Sequence, residues 1–150
     1  CVCMNLLQFV IGIIACVGFC ILVNVPKKAI IPAAATGGIA WFVYQTAMTM
    51  GYSKAVAAFV ATCIVTIVSD ILSRKVKEAA TVFIIPGILP LVPGSGMYYT
   101  MSAIIESDYS TAGAIGTETF FTAGSIALAI LIVGSVLRLF TAVRKKIYWN

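Results

Sequence analysis

Five apolar stretches follow one another along this chain with only short polar breaks between them, and that pattern leaves little choice of fold. They cover roughly residues 6–23, 29–50, 55–72, 79–105 and 117–139. A helix needs about 20 mostly apolar residues to cross a bilayer. Only 10% of the residues are charged, whereas a soluble domain carries roughly 25% to cover its surface. Lipid is the solvent that tolerates such a surface. The expected architecture is therefore all-α: a single transmembrane domain over residues 1–150, a polytopic bundle of about five helices.

The charges are spread in a way that bears on topology. The first break carries Lys27 and Lys28, the third Arg74, Lys75 and Lys77, and the tail Arg144, Lys145 and Lys146. Five crossings put these eight basic residues on one side of the membrane. The opposite side keeps only Lys54. The positive-inside rule then places the N-terminus outside and the C-terminus in the cytoplasm. The net charge of +5 reads as topology signal and attraction to anionic headgroups rather than nucleic-acid binding.

The first run lacks a basic region before it and carries its lysines after it, so it reads as a helix rather than a cleavable signal. Cys16, Cys20 and Cys63 lie inside apolar runs and read as small packing residues. Cys1 admits a lipid-bearing reading, but the preferred one is an initiator or upstream segment preceding this numbering. The sequence holds no histidine, which removes His-containing metal sites, triads and proton shuttles. No enzyme, metal or cofactor is expected.

Helices in lipid associate through small residues that let backbones approach. Ala33/Gly37 and Ala34/Gly38 in the second run, and Ala123/Ala127 in the fifth, offer such faces. The fourth run is different. It contains Pro86, Pro90 and Pro93, with Gly94 and Gly96 close behind. Each proline deletes a backbone donor and clashes with the preceding turn, so the run is expected to break between Pro90 and Gly94. Non-helical backbone at that depth must be buried in protein or line a watery cavity. Broken helices near the midplane recur in secondary transporters. A second half-helix starting at Gly94-Ser95-Gly96 would turn its free amides and positive dipole end toward a docked carboxylate. The expected substrate-binding residues are Pro90, Pro93, Gly94, Ser95, Gly96, Tyr98 and Tyr99. The plainer account is a helix kinked only for packing.

Two acids lie near apolar segments. Asp70 precedes Arg74 by one turn, so an i,i+4 pair is the simple reading and a coupling group facing the cavity the sharper one. For Glu118 a place near a helix N-terminus is the simple reading and the same coupling role the sharper one; Glu106 to Gly116 reads as a short external loop. Arg138 is expected to snorkel to the cytoplasmic face.

Val17-Gly18-Phe19 leading to Asn24-Val25-Pro26, then Pro90-x-x-Pro93-Gly94 followed by Tyr98 and Met101, resembles the threonine/serine exporter family. More closely, the chain is similar to the short separate subunits equivalent to the C-terminal membrane half of full-length exporters, including the small subunit of two-component succinate exporters. The resemblance implies a multi-pass protein of the bacterial inner membrane that exports small carboxylate-bearing solutes, serine and threonine or dicarboxylates such as succinate. It also implies a larger membrane subunit as partner, and singles out Asn24, Pro26 and Met101 as structural motif positions. A channel-like or purely structural subunit of a larger complex is the competing expectation.

Overall fold

The computed structural model describes residues 2–147, with side chains described from Phe9 to Phe140. Cys1 and the side chains of Cys3, Arg144, Lys145 and Lys146 lie outside the described residues. Among those described, every regular element is helical: α1 (Val2–Leu22), α2 (Lys27–Thr49), α3 (Lys54–Val76), α4 (Thr81–Ile88), a 3-10 turn (Leu89–Leu91), α5 (Gly94–Ile105) and α6 (Tyr109–Ile147).

Two helices, α3 and the stretch Tyr109–Phe140 of α6, are long and apolar enough to cross a membrane. The pair Thr81–Leu91 and Gly94–Ile105, bent by 49°, makes a third if it is one span. The described apolar part of α1 is the shorter Phe9–Leu22. Five spans were expected from the sequence; α2 falls short on composition. Its middle is Ala33-Ala34-Ala35-Thr36-Gly37-Gly38, small and weakly polar. The reason is its position: α2 packs against α1, α3 and α4 at once. Ala29, Ala33, Ala34, Thr36, Gly37, Gly38 and Ala40 are all buried, so protein rather than lipid sets what α2 can be made of.

Gly37 and Gly38 do the work expected of them at the α1–α2 contact. A side chain at Gly37 would run into Cys16, and one at Gly38 would lie 2.6 Å from Ile13 and 3.0 Å from Phe9. The small-residue face expected on the fifth run is not the one used. Ala127 is exposed, while Thr122, Ile126 and Ala129 are buried. These three sit three or four residues apart and form the inward stripe of α6.

Tight turns join the helices. Asn24 takes φ +56; its amide bonds to Ile21 O and that of Val25 to Cys20 O, at 3.1 and 2.9 Å. This is a Schellman stop with a left-handed residue just past the helix end, and Pro26 beyond it cannot continue α1. The Asn-Val-Pro motif is thus a helix terminator. Gly51 (φ +86) after α2 and Ser107 (φ +63) after α5 close their helices with the same bond pattern. Asn24→Val, which places a β-branched residue in the left-handed region, is expected to cost about 1–2 kcal/mol. Asn24→Gly should be nearly neutral. Thermal unfolding of the two variants in detergent checks this, and equal midpoints would remove the cap from the account.

The polar break between the last two helices is shorter than expected. The loop is only Glu106–Asp108, because α6 begins at Tyr109. Asp108 accepts hydrogen bonds from Ser110 Oγ (2.8 Å) and the Thr111 amide (3.2 Å). Hydrogen bonding from Thr111, then Ser110, holds its carboxyl below the usual carboxylate range. Gly116, whose Cβ would meet Thr100, then lets α6 run on beside α5. Glu118 therefore sits well inside α6 and not at its start.

Candidate functional site

Pro86 lies inside α4 and does not end it. The break comes later, and its hydrogen bonds show why. Pro90 has no amide to give to Pro86 O, and that carbonyl instead accepts from Cys16 Sγ at 3.3 Å. Pro93 cannot donate to Leu89 O, which takes the Val92 amide at 3.2 Å and closes a 3-10 turn. Pro93 itself has φ −77 and ψ 60, and the Gly94 amide bonds to Val92 O at 2.8 Å. That is an inverse γ-turn. Helical bonding resumes with the Met97 amide on Pro93 O at 3.1 Å. Ser95 and Gly96 are therefore left in the first turn of α5 without intrahelical acceptors, and no side chain caps this end.

The 49° bend sends the two halves to different neighbours. α4 packs on α2 and α3, with Gly87 so close that a Cβ would lie 2.9 Å from Val65 and 3.0 Å from Thr36. α5 packs on α6 instead. Gly96 and Thr119 face each other there, as do Thr100 and Gly116, whose Cβ would lie 3.2 Å from Thr100. Each threonine turns its hydroxyl back onto its own helix: Thr100 to Gly96 O and Thr119 to Ile115 O, both at 2.7 Å.

The divergence opens two clefts. The first, about 390 Å³, is lined by the break (Pro90–Pro93), by Ser95, Gly96 and Tyr99 of α5, by Trp41 and Tyr44 of α2, by Lys54, and by Ile115, Glu118, Thr119 and Thr122 of α6. Lys54 Nζ lies 3.2 Å from Glu118 Oε1 and 3.3 Å from Oε2, tying the start of α3 to α6. Both side chains are about half exposed, so the pair adds about 0–1 kcal/mol to stability at most. The Trp41 and Tyr44 rings stack 5.7 Å apart and form an aromatic wall opposite α6. The second cleft, about 740 Å³, lies between α4 and the C-terminal half of α6. It is lined by Thr66, Asp70 and Arg74 of α3, Ala80, Thr81 and Ile84, and α6 residues from Ile130 to Arg138.

Between the clefts sits a buried apolar cluster: Ala40, Ala58, Ala61, Val65, Leu91 and Ile126, with Ile130 packed against it. On α3 and α6 these residues fall between those lining the first cleft and those lining the second. Leu91 floors the first cleft and Ile130 belongs to the second.

Of the residues singled out from the sequence, Pro90, Pro93, Ser95, Gly96 and Tyr99 line the first cleft together. Gly94 and Tyr98 do not. A Cβ on Gly94 would meet nothing within 4 Å, and Tyr98 is 69% exposed on the outward face of α5. Met101 lies one turn further along that outward face, 64% exposed. Asp70 makes the simple i,i+4 pair with Arg74 at 2.8 Å, on the wall of the second cleft. Arg138 is exposed and lines that cleft too. The sequence reading missed Lys54, Trp41, Tyr44, Thr119 and Thr122 as cleft residues. One signal was present: Glu118, Thr119 and Thr122 share one face of the helix and mark a polar stripe on an otherwise apolar segment.

The family model described as threonine/serine exporter, ThrE, matches residues 8–136, most of the 150-residue chain. The chain belongs to the threonine/serine exporter family. This is a family of transporters and not of enzymes, and its apolar helices make the chain a membrane protein. No solved structure matches it. The matched region of this exporter-family chain contains the break, the first cleft, the apolar cluster and the second cleft except for Leu137 and Arg138.

Proposed function

We propose that this chain is the small membrane half of a two-part secondary exporter in the bacterial inner membrane. It crosses five times with the N-terminus outside, and a larger subunit of the same family completes the transport path. The cargo is a small carboxylate-bearing solute, with threonine and serine the first choice and dicarboxylates such as succinate the second. What supports the reading most is the first cleft, where the uncapped start of α5 meets a lysine, a glutamate and two threonine hydroxyls. A hydroxy-amino acid is complementary to that set. Its carboxylate suits the Ser95 and Gly96 amides and Lys54, its ammonium suits Glu118, and its hydroxyl can donate to Thr119 or Thr122, whose own protons are already given to backbone carbonyls.

The test is export by cells that make the exporter, with and without this chain, followed by amino-acid and organic-acid profiling of the medium. Loss of threonine and serine export without the chain is the expected result. Glu118→Gln separates the two cargo types. It should reduce threonine export at least tenfold, about 1.4 kcal/mol or more, and leave any dicarboxylate export unchanged. Equal loss of both would remove Glu118 as the ammonium partner, and export unaffected by deleting the chain would end the reading as a whole.

A further inference from the structure

The second cleft is not needed for the site proposed above, yet its chemistry is specific. It is nearly twice the volume of the first. Its walls are apolar through Ile84, Ile130, Leu131 and Leu137, with Ser135 adding a hydroxyl; the buried Thr66 hydroxyl is already given to Thr62 O at 2.8 Å. Two guanidiniums, Arg74 and Arg138, and one carboxylate, Asp70, stand along it. Asp70 is bonded to Arg74 through Nε at 3.0 Å and Nη2 at 2.8 Å, so the carboxylate is already spent on one arginine. Arg138 makes no ion pair among the described residues. Its guanidinium is always charged and offers a planar fork matched to a carboxylate.

Arg138 also lies on the same end of the bundle as the basic breaks, the end that the charge bias turns toward the cytoplasm. An exporter collects its cargo there. We infer that the second cleft is the loading site of the exporter, in which Arg138 captures the carboxylate of the cytoplasmic cargo before it passes the apolar cluster at Leu91 and Ile126. The inference rests on the exporter reading above but concerns a different set of residues. An anionic phospholipid, with its phosphate on the arginines and an acyl chain along Ile84 and Leu131, is the rival occupant. The Ser135 hydroxyl, and the alignment of this cleft with the first along α3 and α6 on either side of the apolar cluster, favour a small polar solute.

The experiment uses inverted membrane vesicles from cells making the complete exporter, in which uptake of labelled threonine corresponds to export. Arg138→Gln should raise the half-saturating threonine concentration about tenfold and keep the maximal rate within twofold, while Arg138→Lys restores part of the loss. An unchanged half-saturation, or a loss confined to the maximal rate, would overturn the inference. A second readout does not depend on transport: phenylglyoxal modification of Arg138, followed by mass spectrometry. Threonine should slow it in wild-type vesicles. Transport without protection overturns the loading site and leaves the exporter reading intact. Protection without transport supports the site and removes the exporter reading. Modification slowed by anionic phospholipid but not by threonine assigns the cleft to lipid and overturns the inference.

Discussion

Gly96→Ala is expected to reduce threonine export at least tenfold, while Gly94→Ala stays within twofold of wild type. Two glycines separated by one residue would look interchangeable in a sequence, yet they face opposite ways. Gly96 meets Thr119, and even a methyl group there would run into its hydroxyl. Thr119 cannot simply swing aside without giving up its bond to Ile115 O. The helices must then separate, and overpacking of this kind costs about 1–3 kcal/mol. Separation at Gly96 moves the first turn of α5, which is where the free amides lie. Gly94 has open space around its Cα. Surface abundance and thermal stability of both variants, measured beside export, separate loss of function from loss of protein. Similar export by the two variants would mean that the α5–α6 contact does not set the site.

Leu91→Asn is expected to convert the exporter into a leak. Leu91 is 4% exposed and belongs to the same cluster as Val65 and Ile126. Hydrophobic constrictions close pathways by excluding water. An amide at Leu91 would bring polar atoms into the barrier just where the first cleft ends. It cannot be satisfied there without water, since the neighbours are Ala58, Ala61 and Val65. Passive threonine flux through vesicles containing the complete exporter should rise at least tenfold and lose its saturation. Leu91→Met, which keeps volume and polarity, should cost less than about 1.5 kcal/mol in stability and leave the barrier closed. A Leu91→Asn protein that folds, assembles and still shows saturable transport with no leak would place the barrier elsewhere.

Much of this was legible in the sequence because proline chemistry is local. Pro90 and Pro93 delete identifiable donors, and the carbonyls they orphan are those served by Cys16 and Val92 in the structure. The face that α5 turns inward was not legible from residue type, although its periodicity sorts the candidates. Gly94, Tyr98 and Met101 are spaced four and three apart and share the outward face, whereas Ser95, Gly96 and Tyr99 share the inner one. What decides between the two faces is the contact with α6, and that is tertiary. The same holds for α6 itself. Read as a polar loop, residues 109–116 are helical because Asp108 caps them and because Gly116 lets α5 come close. Lys54 and Glu118 are 64 positions apart, and nothing local links them.

The composition of α2 carries a consequence for biogenesis. A translocon releases a segment into lipid when that segment is apolar enough by itself, and a helix of alanines, glycines and a threonine is a poor candidate. Its acceptance then depends on company: α1 already in place, or α3 emerging behind it. Substitutions that weaken the α1–α2 seam at Gly37 or Gly38 should therefore be felt before folding is complete, as ribosome-bound chains whose second helix slips back out of the membrane.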